Sequence, residues 1–341
     1  MKVLFVGSFL SKNNGTKSIA EKLSDKWKNN QEIHAKLVSR ISNKYFRLLD
    51  ILLSVLLFRG DIISIDVFSG KSLLIAKLSL DLAKFRNKKV ILTLRGGAII
   101  DDLKGKKLIY KKIFERADFL QSPSIFLSKS IKEQLGFNIH YMPNPISHDY
   151  FKPNLSIKRK NLLWVRAFTD IYNPILAVDA LGHLVVDFPD IQLTMVGPDK
   201  GLLNKVQERI NELGLASNIT ITGPIPNEEL PILYQKHAIY LNTTKYESFG
   251  TAVFEAAATK MPIVSTKVGE LPFLWSAGEN IEFIEKFDSQ ELANKVKKLL
   301  IDNDKQKKIG ESAYNRTLEF DWKIISKRWI ERLKEINNLN R

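Results

Sequence analysis

The feature that most constrains this fold is a double alternation of short β-rich runs with helical segments. Such alternation argues for parallel sheets covered by helices. In the first half, residues 3–6, 33–39, 61–67 and 89–94 read as strands, with 119–121 and 139–142 after them. Residues 17–29, 73–85 and 107–116 read as helices. Pro143, Pro145 and Pro153 then fall close together, and a basic run at residues 158–160 follows, which marks a linker over 145–160. A second alternation begins there. Strands are expected at 161–165, 191–196, 219–222, 239–242 and 262–265, and helices at 174–186, 202–213 and 228–236. Another helix starts near Gly250, and helices dominate from Ser289 onward. The fold class is therefore α/β: two doubly wound Rossmann-like domains facing a cleft. Residues 1–150 form the first, 151–318 the second, and 319–341 a closing helix. A chain of 341 residues fits two domains. Ligands of such sheets bind outside the carboxyl ends of the strands.

Composition removes some chemistries. With no cysteine, the chain has no disulfide, no thiolate metal site and no thiol nucleophile. Its opening, MKVLFVGSF, reads as a strand rather than a secretory leader, so a cytoplasmic protein is expected. The five histidines, at 34, 140, 148, 183 and 237, form no cluster and read as structural or surface residues. Asp101-Asp102 reads as a solvated turn, and no metal site is expected. The apolar run 48–58 is too short for a bilayer span, which needs roughly 20 apolar residues. A buried helix is the plainer reading of it, and a helix dipping into a membrane interface the sharper one.

The net charge of +15 is unevenly placed. Residues 1–150 hold 26 Lys+Arg against 13 Asp+Glu, and the remainder holds 26 against 24. A one-sided basic field suits an anionic partner such as a membrane surface or a phosphate-bearing molecule. No nucleic-acid-binding motif accompanies it, so no nucleic acid partner is expected.

The segment Tyr240-Leu-Asn-Thr-Thr-Lys-Tyr-Glu-Ser-Phe-Gly-Thr-Ala-Val-Phe-Glu-Ala-Ala-Ala carries the most chemistry. A strand passes through a short loop into a helix. Ser248 is the expected N-cap, and the backbone N–H groups from Phe249 to Thr251 are expected to face an anion at the positive end of the helix dipole. Glu255 lies one turn beyond Thr251 on the same helix face. There a carboxylate can accept hydrogen bonds from a ribose diol.

This segment resembles the retaining glycosyltransferases of family 4, whose hallmark is two glutamates separated by seven residues, here Glu247 and Glu255. The flanking E-S-F-G, the Ala-rich helix, and the following Met261-Pro-Ile-Val-Ser-Thr with Gly269 extend the resemblance. So do Met142-Pro-Asn-Pro, Met195-Val-Gly-Pro and Ile221-Thr-Gly-Pro-Ile, the last two containing Gly197 and Gly223 at strand ends that border the nucleotide in that family. The resemblance implies the two-Rossmann-domain GT-B fold, with a C-terminal helix crossing back to the first domain. It implies a metal-independent transfer that retains anomeric configuration, from a nucleotide-sugar (UDP-sugar favoured over GDP-sugar) and with no separate cofactor. The acceptor would be a growing polysaccharide or a lipid-linked glycan of a bacterial surface. The basic charge of the first domain and the apolar run 48–58 add an expected peripheral contact with an anionic membrane at the inner face of the cell membrane.

By the same resemblance, Arg166 contacts the donor diphosphate and stabilises the departing charge. Glu247, with the backbone of Ser248, Phe249 and Gly250, holds the sugar. Thr251 helps bind phosphate and Glu255 binds ribose. Gly15 and Thr16, after the first strand, approach the diphosphate or the reacting sugar. Where many relatives carry a lysine shortly after the arginine, this chain reads Arg166-Ala-Phe-Thr-Asp-Ile-Tyr-Asn-Pro. Tyr172 or Asn173 can donate a hydrogen bond there but supplies no charge, and Lys245 is the candidate for a substitute cation. Where the family often has a histidine in the first domain, Arg95 stands before Gly96, as a contact for phosphate or an acidic acceptor. The competing reading is a non-catalytic protein of the same fold that binds a polyanion or a membrane.

Overall fold

The computed structural model describes residues 1–11, 17–153 and 160–338. The chain divides into two compact units, 1–145 with 323–341, and 146–322.

The first unit is built on a six-stranded parallel sheet of order β2-β1-β3-β4-β5-β6. Its strands are β1 (Lys2–Val6), β2 (His34–Val38), β3 (Ile62–Val67), β4 (Lys89–Leu94), β5 (Phe119–Ser122) and β6 (His140–Tyr141). Helices α1 (Ile19–Lys26), α2 (Lys44–Leu57), α3 (Lys71–Phe85), α4 (Ile99–Arg116) and α5 (Ile125–Leu135) connect them. Helices cover both faces of a parallel sheet, so its central strands read as unbroken apolar runs. Val3, Leu4, Phe5 and Val6 are accordingly all buried.

Local signals set the helix ends. Ser18 and Glu21 form a reciprocal capping box at α1, and Ser124 caps α5, which ends at left-handed Gly136. The closing helix α13 (Trp322–Asn338) buries Ile325, Trp329, Leu333 and Ile336. Trp329 meets Phe5 edge-on, and Trp27 Nε1 donates to Ser326 Oγ at 2.9 Å. Lys89 Nζ donates to the last carbonyls of α13, at Ile336 and Asn337.

Two expectations fail in this unit. Asp101 and Asp102 belong to the first turn of α4 rather than to a turn between elements. The Asp102 carboxylate accepts from Gly70 N–H, Lys106 and Tyr110, which explains an acid there without ligand chemistry. The apolar run at 48–58 is helical, but α2 buries only Ile51 and Val55, with Phe58 just beyond it.

The second unit holds a six-stranded parallel sheet of order β12-β11-β10-β7-β8-β9. Its strands are β7 (Asn161–Val165), β8 (Gln192–Val196), β9 (Ile219–Gly223), β10 (Ile239–Asn242), β11 (Ile263–Thr266) and β12 (Glu282–Ile284). The helices are α6 (Pro174–Leu184), α7 (Leu203–Glu212), α8 (Leu230–Gln235), α9 (Thr251–Ala258), α10 (Leu271–Leu274), α11 (Ser289–Ile301) and α12 (Asn303–Thr317). Pro174 opens α6, where its missing N–H costs nothing. β12 and α10 have no counterpart among the sequence expectations, because three- and four-residue elements carry too few periods to read.

In each sheet the first strand lies inside the order, β1 between β2 and β3, and β7 between β8 and β10. The chain moves outward from β1 to β2 and restarts on the other side at β3, and from β7 through β9 before restarting at β10. These reversals are the switch points at which open α/β sheets hold ligands. No helix among the described residues is long and apolar enough to cross a membrane.

Candidate active site

The carboxyl edge of the second sheet gathers most of the residues singled out from the sequence. Arg166 follows β7 and Glu247 lies in the loop after β10, so they flank the switch point. Their side chains meet, with Arg166 Nη2 donating to Glu247 Oε2 at 2.5 Å, both 12% exposed. Nη2 also reaches Asn242 Oδ1 at 3.4 Å, and the guanidinium carbon sits 5.3 Å from the Tyr172 ring centroid. The Tyr172 ring thus carries the arginine on its face, without adding a second cation. Burial works against the charged guanidinium. The Glu247 carboxylate and the surrounding Tyr240, Tyr172 and Tyr234 more than offset it, so the arginine pKa stands above its ordinary value. Arg166 Nε is buried and has no hydrogen-bond partner among the described residues.

Glu247 is held from two sides. Its Oε1 accepts from the N–H of Ser248 at 3.1 Å and of Phe249 at 3.5 Å. Two of the amides expected to face a ligand are therefore turned toward this carboxylate. Ser248 is not the N-cap either. Gly250 takes that place at φ +89°, without a side-chain cap bond, and α9 starts at Thr251. The first-turn amides of α9 have no acceptor within the helix and point along its positive end. The Phe249 ring packs inward, stacked on Phe254 at 4.6 Å, so only its backbone belongs to the site.

Glu255 is buried in the second turn of α9, and Tyr234 Oη donates to its Oε2 at 3.2 Å. Burial, together with the Glu255 charge, raises the Tyr234 pKa well above its usual value and keeps that donor protonated. Two glycines let backbones close around the pair. A Cβ on Gly197 would stand 1.9 Å from the Arg166 carbonyl oxygen, and one on Gly269 would stand 2.1 Å from that of Glu247. The Glu270 N–H donates to the same Glu247 carbonyl at 3.0 Å. Gly223, the last residue of β9, accepts from Gly197 N–H at 3.0 Å. Lys245, the candidate substitute cation, is committed to Asp170 at 2.6 Å.

In the first unit, Arg95 follows β4 and donates through Nε to Asp66 Oδ1 at 2.5 Å. Its Nη1 reaches Asn144 Oδ1 at 3.3 Å. Burial pushes the Asp66 carboxyl above its ordinary pKa, and the Arg95 charge pulls against it. Gly96 lies beside Phe68. Gly15 and Thr16 fall outside the described residues. Sequence reasoning missed Asp66, Asn242 and Tyr234. The first two had a readable signal: a polar or charged residue at the carboxyl end of a buried strand.

Comparison with known proteins places the second unit in a family. Residues 147–316 match the family model described as glycosyl transferases group 1. This segment of the chain belongs to that family. Arg166, Glu247 and Glu255 all lie within the matched residues. The D-inositol 3-phosphate glycosyltransferase of Corynebacterium urealyticum is 26% identical over 183 residues, covering 52% of this chain and 43% of that protein. The chain thus aligns with less than half the length of that curated relative. Among solved structures, a sucrose-phosphate synthase from Thermosynechococcus elongatus superposes with a TM-score of 0.82 at 14% identity, covering 99% of both chains. HepE of Anabaena, in complex with UDP and glucose, gives 0.78 at 17% identity over 98% of this chain and 99% of that one. These likenesses show that the chain has the GT-B fold of two Rossmann-like domains.

Proposed function

We infer that the chain transfers a sugar from a nucleotide-sugar to a polysaccharide or lipid-linked acceptor in bacterial surface glycan synthesis, with retention of anomeric configuration. The observation that carries this reading is Arg166, a buried guanidinium at a switch point with an unused Nε donor. A buried donor without a partner is costly unless a ligand completes it. A diphosphate oxygen is the acceptor a planar, always-charged donor fits best.

In this reading Arg166 and the first-turn amides of α9, from Thr251, carry the charge that develops on the departing nucleotide. Glu247 accepts from the sugar hydroxyls, and Glu255 accepts from the ribose diol. Gly197 and Gly223 leave the backbone bare beside the nucleotide. The acceptor attacks from the face that the leaving group vacates, so positioning and electrostatics supply the chemistry without a metal. The UDP held by the Anabaena neighbour favours UDP over GDP. The relative named for inositol 3-phosphate suggests an anionic acceptor, which suits the basic first half.

Thermal unfolding with UDP, GDP, ADP or CMP, with and without a chelator, tests the donor site. UDP at about a hundred times its Kd should add about 2.7 kcal/mol of stability, chelator or not. Glu255→Ala, measured against its own nucleotide-free baseline, should weaken that binding by about ten-fold or more, the cost of losing a charged hydrogen-bond acceptor. If neither nucleotides nor nucleotide-sugars stabilise the wild type, the non-catalytic reading replaces this one.

A further inference from the structure

Helix α2 has two apolar faces, and the fold uses one. Ile51 and Val55 pack into the core of the first unit. At about 100° per residue, Tyr45, Phe46, Leu49, Leu53, Leu56 and Leu57 share an arc on the opposite side. All six are exposed, Tyr45 by 73%, Phe46 by 65% and Leu57 by 71%. Asp50, Ser54 and Arg47 separate the two faces along one flank. A surface helix ordinarily turns polar residues to water. A continuous outward apolar arc along fourteen residues implies an apolar environment.

The charge around the arc says which environment. Residues 36–59 hold five cations, Lys36, Arg40, Lys44, Arg47 and Arg59, against the single anion Asp50. Among the described residues Lys36, Arg40, Lys44 and Arg59 take part in no ion pair, and neither does Lys2. At the C-terminal end of α2 lies a pocket of about 330 Å³ lined by Lys2, His34, Lys36, Leu57, Phe58 and Arg59. It opens where β1 and β2 begin, at the Lys2–His34 register pair, whereas Asp66 and Arg95 sit at the carboxyl ends of their strands. Apolar arc and cationic pocket meet at Leu57.

We propose that α2 docks on an anionic bilayer, its outward arc in the acyl boundary and its terminal pocket holding a lipid phosphate. The arc supplies buried apolar area, and the unpaired cations supply attraction to anionic head groups. This docking does not depend on the transfer reaction, because none of its residues belongs to the candidate active site.

Sedimentation of the whole chain with vesicles tests it. Wild type should pellet with vesicles of phosphatidylcholine and phosphatidylglycerol in equal parts, more weakly with phosphatidylcholine alone, and less as salt rises. Joint replacement Phe46→Ser, Leu49→Ser and Leu53→Ser should lower binding by about ten-fold or more while leaving the unfolding temperature and nucleotide stabilisation unchanged, because these side chains are already in water. Lys36→Glu with Arg59→Glu should abolish the preference for the anionic lipid. The chain has no cysteine, so an environment-sensitive fluorophore on Leu53→Cys should brighten on anionic vesicles, and one on exposed Val186→Cys should not. Failure of the wild type to bind, full binding by the triple-serine protein, or an unchanged Leu53→Cys signal would each overturn the proposal. So would a wild-type dimer that the triple-serine change disperses, since the arc would then be a contact between copies of this chain.

Discussion

Replacing Arg166 with alanine is expected to lower kcat by about a hundred- to a thousand-fold, the loss typical when a donor to a developing negative charge is removed. The size of the effect follows from how the guanidinium is held. Glu247, Asn242 and the Tyr172 ring fix its plane, so its remaining donors are oriented before any ligand arrives. Arg166→Lys should recover only part of the loss, because an ammonium keeps the charge but not the fork. Alanine also leaves Glu247 without its cation, and breaking a buried pair costs about 3–5 kcal/mol. The lower end applies here, since the amides of Ser248 and Phe249 still hold that carboxylate. Urea unfolding therefore has to accompany the kinetics. A folded alanine variant with wild-type kcat would remove Arg166 from the reaction. The Arg166 pKa lies above its ordinary value, so its charge persists throughout the assayable range. No loss of rate at alkaline pH should trace to this residue.

The second large effect is expected at Gly269, which touches no ligand in the proposed reaction. Its φ of +55° is a conformation that side chains resist, and an added Cβ would lie 2.1 Å from the carbonyl oxygen of Glu247 and 3.0 Å from its carbonyl carbon and its nitrogen. Those are backbone atoms, so no rotamer change relieves the clash. Gly269→Ala should cost about 3–5 kcal/mol, combining left-handed strain with overpacking. If the loop yields instead, Glu247 is pulled off Arg166 and activity falls with little loss of stability. Gly278→Ala separates the two causes. That glycine has φ +74° but no atom within 4 Å of the added Cβ, so it should lose only about 1–2 kcal/mol. Equal losses at both positions would mean that the contact with Glu247 contributes nothing.

Much of the fold was legible because parallel strands buried on both faces must be apolar along their length. Residues 89–94, 161–165 and 239–242 could be bounded to the residue for that reason. Glu247 and Glu255 could be read as a pair through the family resemblance, and both lie on one strand–loop–helix unit. The N-cap could not be read: Ser248 competes with Gly250 two residues later, and the left-handed turn at Gly250 decides the outcome. Asp102 shows the same limit. An acid before a basic stretch looks like a turn until Gly70, Lys106 and Tyr110 are seen around it.

What the sequence determined by itself is therefore local and periodic: two sets of alternating elements, their strand cores, and a glutamate pair at the start of α9. The tertiary structure alone decided which distant side chains share a charge. Arg166 and Glu247 are 81 residues apart, Arg95 and Asp66 are 29 apart, and only the strand order β10-β7 and β3-β4 makes them neighbours. It also decided which face of α2 meets water. A helix apolar on two opposite faces has the same periodicity whichever face packs inward, so only the sheet beneath it settles the choice.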